Sequence, residues 1–104
     1  MTLTFDDFEA SLQDTYTHRP DSLTYAMLGL AGETGEVVEK YKKAMRVLVP
    51  GQIPDSDFAL DIANELGDVL WYVARICQEL EIPMRDVAQM NIAKLAARRA
   101  EAPQ

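Results

Sequence analysis

A chain of 104 residues, 48% apolar and 26% charged, has the balance of an ordinary globular protein and can bury only a modest core by itself. Its formal charge of -7, from 17 acidic against 10 basic side chains, disfavours a broad grip on a nucleic acid polymer, which needs clustered Lys and Arg. The single cysteine excludes an intrachain disulfide and a cysteine zinc site, and no apolar run approaches the roughly 20 residues of a membrane span. The N-terminus lacks the basic start and apolar stretch of a signal peptide. The expectation is one cytoplasmic domain over residues 1–104, with no membrane and no nucleic acid polymer as partner. A small core also predicts self-association.

In chain order, Thr4 with Asp7 reads as a helix N-cap and acidic first turn, after which Phe5, Phe8 and Leu12 recur at helical spacing. This first helix is predicted to run to about Thr17. Breaker and capping residues follow at His18-Arg19-Pro20-Asp21-Ser22, where the lone His18 reads as a surface residue. A second helix is predicted from Leu23 to about Val47. Pro50-Gly51 and Pro54-Asp55 bracket a loop, and Asp55, Ser56 or Asp57 can cap a third helix from Phe58 to about Leu80. Ile82-Pro83 breaks the chain again, and a fourth helix runs from Met84 to about Ala100. With no alternating strand pattern anywhere, the fold expected is all-α, a four-helix bundle-type domain assembled into a dimer or tetramer.

Two acidic pairs of equal spacing, Glu33-x-x-Glu36 and Glu65-x-x-Asp68, stand on the second and third helices. Positions three apart share a helix face, so each pair can close on one ion. Four hard oxygen donors suit a hard divalent cation, Mg2+ with Mn2+ as a substitute, and that points to metal-assisted phosphate chemistry. On an idealised wheel with Glu33 at zero, Glu36, Lys40 and Lys43 lie within about 80° of it. On the third helix Asp68, Tyr72 and Arg75 stand in the same relation to Glu65, beside an apolar face that includes Ile62, Leu66, Val69, Val73 and Ile76. The acids thus fall at the edge of the buried stripe. Either pair alone is well explained as a solvated helix face with Glu-Lys pairs. Two such pairs brought together repel, and a cation would relieve that repulsion.

Other features carry two readings each. Gly29, Gly32 and Gly35 cost helix stability, which close approach of a neighbouring helix or clearance for a ligand would explain. Asn91, Lys94 and Arg98 share a face of the fourth helix, either a polar outer surface or an amide and two cations offered to phosphate oxygens. Trp71 is a core residue or a platform for a nucleobase, with packing the commoner use, and Cys77 at helical spacing from Val73 and Leu80 reads as a small buried hydrophobe.

These residues resemble the MazG-like members of the all-α nucleoside triphosphate pyrophosphatases. The resemblance lies in Leu28 to Glu39 (LGLAGETGEVVE), in Glu65 to Tyr72 (ELGDVLWY) and in Asn91 to Leu95 (NIAKL) with Arg98. It implies hydrolysis of a nucleoside triphosphate between the α and β phosphates to a monophosphate and pyrophosphate, a reaction suited to nucleotide-pool cleaning. It also implies a Mg2+ site built by Glu33, Glu36, Glu65 and Asp68, one of whose glutamates, Glu36 among them, could orient the attacking water. Phosphate contacts are expected from Lys40, Lys43, Asn91, Lys94 and Arg98, and base contacts from Gln13, Tyr16 and Trp71. Similar proteins form homodimers or homotetramers. The Arg46 to Asp57 segment sets the acidic pairs unusually far apart and reads as a flap or a connector.

Two rivals stand beside this reading. A di-iron carboxylate bundle wants two Glu-x-x-His elements, and neither acidic pair is followed by a histidine. A non-catalytic nucleotide-binding or helical dimerisation module would carry the acids as solvated faces, with a stability indifferent to Mg2+.

Overall fold

The structure, a computed structural model, describes residues 2–12, 20–52 and 55–101. The described residues form four helices: α1 (Phe5–Ser11), α2 (Ser22–Met45), α3 (Ser56–Leu80) and α4 (Met84–Glu101). Among the described residues there is no strand, so the all-α expectation holds. The helix limits fall within two residues of those expected for α2, α3 and α4. For the first helix, α1 closes at Ser11 with Leu12 as its C-cap, and the rest of the expected span lies outside the described residues, as does His18.

Local chemistry sets each boundary. Thr4 Oγ1 accepts from the Asp7 N–H at 3.1 Å and Asp7 Oδ2 accepts from the Thr4 N–H at 3.0 Å, a reciprocal capping box that satisfies two otherwise orphaned donors. After α2, the Gln52 N–H returns to the Val49 carbonyl at 3.0 Å with Gly51 at φ +85°. Proline second and a positive-φ glycine third fit a type II turn. Asp55 caps α3 by accepting from the Phe58 N–H at 3.0 Å. The helix ends in a left-handed residue, Glu81 at φ 58°, and the Ile82 N–H reaches back to the Cys77 carbonyl at 3.0 Å.

The start of α4 is tied to α1 as well as to its own flank, where the Asp86 and Val87 N–H groups donate to the Pro83 carbonyl. The Met84 N–H donates to Glu9 Oε1 at 2.7 Å, and Gln78 Nε2 donates to the Glu9 backbone carbonyl at 2.9 Å. Arg85 adds an ion pair to Asp6 at 2.6 Å. One turn of α1 therefore staples the end of α3 to the beginning of α4. The core sits under this junction: Leu12, Ala74, Cys77 and Met84 are buried, with Phe8, Trp71 and Val73 packed against them. Cys77 is buried as expected, and burial pushes its thiol pKa up, which leaves it a neutral apolar filler.

The dominant helix contact is α2 against α3, whereas α4 meets α1 and α3 chiefly through its first turns. From Asn91 to Glu101 every residue of α4 is exposed, Ile92 and Leu95 included. The four described helices thus do not close on one another along their length. The radius of gyration is 17.2 Å, against about 13 Å for a compact domain of this size.

Because Glu9 supplies the cap of α4 from a different helix, Glu9→Ala should cost about 1 kcal/mol of unfolding free energy in urea denaturation. A loss below a few tenths would show that solvent caps α4 equally well.

Candidate active site

Helices α2 and α3 run antiparallel in a register legible from their side-chain contacts. Lys40 stands opposite Asp61, Glu33 opposite Asp68, and Gly29 opposite Tyr72. This register carries the two acidic pairs to the same level. Glu33, Glu65 and Asp68 each offer a carboxylate oxygen lying within 4.8 Å of the others. Three hard oxygens at that spacing form a donor set suited to a divalent cation such as Mg2+ or Mn2+. Glu36 is exposed and lies outside this trio, though its charge is felt at Glu33.

The electrostatics record the crowding. The Glu33 carboxyl is raised above its ordinary pKa, first by partial burial, then by the charges of Asp68, Glu65 and Glu36, and last by a hydrogen bond with Glu65. Some of the repulsion is offset by Lys40, whose ammonium lies 2.5 Å from Asp61 and 3.1 Å from Glu65. Its pKa is raised, first by the hydrogen bonds to those two carboxylates, so it stays charged. Asp61 was not among the expected site residues. Its place one turn before Glu65 is the signal that marks it.

An open pocket of about 350 Å³ lies beside the trio, lined by Glu33, Asp68, Trp71 and Tyr72. Trp71 packs against the core cluster, one of its two expected uses, and also lines this pocket. Tyr72 is the residue sequence reasoning passed over, although its position one turn past Asp68 placed it on the acidic face. Its hydroxyl pKa is raised, first by partial burial and then by Tyr25, Glu33 and Asp68, so it remains a proton donor at neutral pH. A larger hollow of about 520 Å³ lies elsewhere, lined mostly by apolar residues such as Leu3, Phe5, Phe8 and Leu70.

The other expected site residues are placed as follows. Lys43 is exposed in the last turn of α2. Asn91, Lys94 and Arg98 are exposed on α4, and none of them lines the pocket at the carboxylates. Gln13 and Tyr16 lie outside the described residues. Arg75, at the far end of the acidic stripe, is buried and turned to Gln78 and Glu79. Of the three α2 glycines, Gly29 alone meets a close neighbour, the Tyr72 ring, and an added Cβ at Gly32 or Gly35 would meet nothing within 4 Å.

A family model, the MazG nucleotide pyrophosphohydrolase domain, matches residues 21–102, the stretch that holds both acidic pairs and α4. The chain belongs to the MazG family. Among curated proteins it is similar to the gene 37 protein of Mycobacterium phage L5, 36% identical over 85 residues that cover 76% of this chain and 68% of that protein. No solved structure matches it. The carboxylates of Glu33, Glu65 and Asp68 form a group that could hold a metal ion, and no described helix is long and apolar enough to cross a membrane.

The raised Glu33 pKa fixes the sign of a pH dependence. A carboxyl whose folded pKa exceeds its unfolded value contributes stability that is full below the unfolded value and lost as pH rises through the folded one. In chelator, the Glu33 contribution should therefore fall as pH rises out of the acid range. A cation competes with the proton, so the Mg2+-induced gain in Tm should grow over the same rise. Differential scanning fluorimetry with Mg2+ and with chelator checks both slopes; a gain in Tm that ignores pH would remove Glu33 from the cation site.

Proposed function

We propose that this MazG domain is a Mg2+-dependent nucleoside triphosphate pyrophosphohydrolase, in which water attacks a nucleoside triphosphate and the bond between the α and β phosphates breaks. The products are a nucleoside monophosphate and pyrophosphate. The observation that carries the reading is the convergence of Glu33, Glu65 and Asp68 from two helices within the stretch the family model matches. A protein of charge -7 repels a polyphosphate, and a cation held by carboxylates reverses that sign locally.

The roles follow from position. Glu33, Glu65 and Asp68 hold the cation, and Glu36, on the same face of α2 and exposed, completes its ligands or orients the attacking water. Bound there, the divalent ion polarises phosphate oxygens and offsets charge in an in-line displacement. Lys40 is a counter-ion of Asp61 and Glu65, and contact with a phosphate would require it to leave them. Lys43, Asn91, Lys94 and Arg98 are proposed for phosphate contacts, and Gln13, Tyr16 and Trp71 for the base, Trp71 with the support of its place in the pocket.

We also propose that the working form is a homodimer or homotetramer. The chain exposes 8058 Å² of surface, whereas a compact monomer of this mass exposes about 5,800 Å². The excess is on the scale of what obligate interfaces bury. Apolar side chains account for part of it, among them Leu66 and Leu70 on α3 and Met90, Ile92 and Leu95 on α4. The open α4 face carries Asn91, Lys94 and Arg98, so an adjoining copy is where they would find a phosphate.

The test is pyrophosphate release from a panel of ribo- and deoxyribonucleoside triphosphates, with Mg2+ and with chelator. Metal-dependent release is expected, and Asp68→Ala or Glu36→Ala should lower it at least about 100-fold with helicity by circular dichroism unchanged. Full activity in Asp68→Ala would sink the assignment, and no release from any nucleotide by well-folded protein would favour a non-catalytic binding module. Light scattering should give a multiple of the 11.6 kDa chain mass; a monomer at working concentration would overturn the assembly.

A further inference from the structure

At Gly29 the Tyr72 ring lies directly against the backbone of α2. A single methyl group built there would overlap the ring carbons, closer than side-chain atoms ever pack. Crowding of this kind is specific to Gly29, because an added Cβ meets nothing within 4 Å at Gly32, Gly35 or Gly67. Tyr72 also meets Trp71 edge to face, with ring centroids 5.0 Å apart and planes at 80°. Tyr72 is thus in contact with both a helix backbone and an indole that itself packs on the core.

This contact stands at one end of the acidic site. One turn from Gly29 along α2 is Glu33, and one turn from Tyr72 along α3 is Asp68, both in the wall of the same pocket. Lys40 and Asp61 lie in the opposite direction along both helices. The other ring pair of the hairpin, Tyr41 and Phe58, lines a separate apolar hollow with Val37, Val38 and Ile62, so the rings in the pocket at the carboxylates are those of Trp71 and Tyr72. That pocket is therefore polarised, with two carboxylates and two aromatic rings in its wall. A nucleotide has the same polarity, since its phosphates need cations and its nucleoside offers apolar and π surface.

We propose that Gly29 is a positioning residue, which by lacking a side chain seats Tyr72 as the wall that receives the nucleoside end of the substrate. The inference rests on the nucleotide pyrophosphohydrolase reading of the site. It assigns to the glycine a cost in helix stability that the α2–α3 hairpin accepts in return for a fixed aromatic wall.

Kinetics of the full chain with the best triphosphate of the panel test it, together with emission from Trp71, the sole tryptophan. Gly29→Ala should raise KM about ten-fold with kcat changed less than about three-fold, and leave half-saturation by Mg2+ within about two-fold. It should also alter Trp71 emission before any nucleotide is added, because the neighbouring ring has moved. Tyr72→Ala should raise KM to a similar extent, and Tyr72→Phe, which keeps the ring, should lose far less. In the Tyr72→Ala background, where the overlap is gone, adding Gly29→Ala should change KM by less than about two-fold. Alanine favours helix over glycine, so the substitution does not threaten α2 except through the ring. Unchanged KM in Gly29→Ala, or an equal loss with and without the Tyr72 ring, would overturn the inference while leaving the hydrolase reading intact. Inactivity of the wild type on every triphosphate would overturn both, and the Trp71 emission would still tell whether Gly29 seats Tyr72.

Discussion

Everything at the candidate site depends on holding like charges together. Glu33 would draw away from Glu65 and Asp68 if α2 and α3 were free to slide, since the charges of those two carboxylates help raise the Glu33 pKa. The antiparallel pairing of α2 on α3 prevents that, and it is the most extensive helix contact in the chain. Lys40 is part of the same arrangement, because an ammonium between Asp61 and Glu65 offsets two of the negative charges at the level where the helices would otherwise repel. The hairpin thus carries both the strain of the site and most of what resists it.

Burial is distributed unevenly around that hairpin. Whereas α2 buries only Ser22 and Ala26, a core cluster of Leu12, Ala74, Cys77 and Met84 gathers where α1, α3 and α4 meet. Here the Glu9 side chain replaces the missing cap of α4 and the Glu9 carbonyl holds Gln78, so a seven-residue helix too short to be stable alone is fixed by tertiary bonds. Trp71 links the two regions, touching the core on one side and the pocket on the other. A small rigid end and a long open one is a poor shape for a monomer, and the exposed apolar positions of α3 and α4 fit a surface that another copy covers.

The residues that form helices were legible because their signals are local. Thr4 with Asp7, Asp55 before Phe58, and Ile82-Pro83 each act within a few positions, and the structure uses each of them as read. The two acidic faces were legible for a related reason, since each pair is spaced at one helical turn; that Glu33 meets Glu65 and Asp68 depends on the α2–α3 register. What stayed hidden were the partners that register alone decides. Lys40 pairs with Asp61, a residue outside both acidic motifs, and Gly29 faces Tyr72 across the hairpin. Neither pairing is encoded within one helix. The face of Asn91, Lys94 and Arg98 was found correctly as a face, yet nothing in a helical period says which way a weakly packed helix points, and α4 leaves those residues exposed.

Lys40 shows how far such hidden partners alter a functional argument. By helical angle it stands with Glu33 and Glu36, which makes it a natural phosphate ligand. In place it is an ammonium already shared by two carboxylates, with a pKa raised by both. Moving it onto a phosphate would leave Asp61 and Glu65 without their counter-charge next to an acidic trio, and that cost falls on the binding step. The lighter arrangement keeps Lys40 where it is and brings positive charge from elsewhere: a divalent cation at Glu33, Glu65 and Asp68, and the cations of a face that the chain by itself leaves open. A site of this kind concentrates negative charge in one chain and depends for balance on what binds to it.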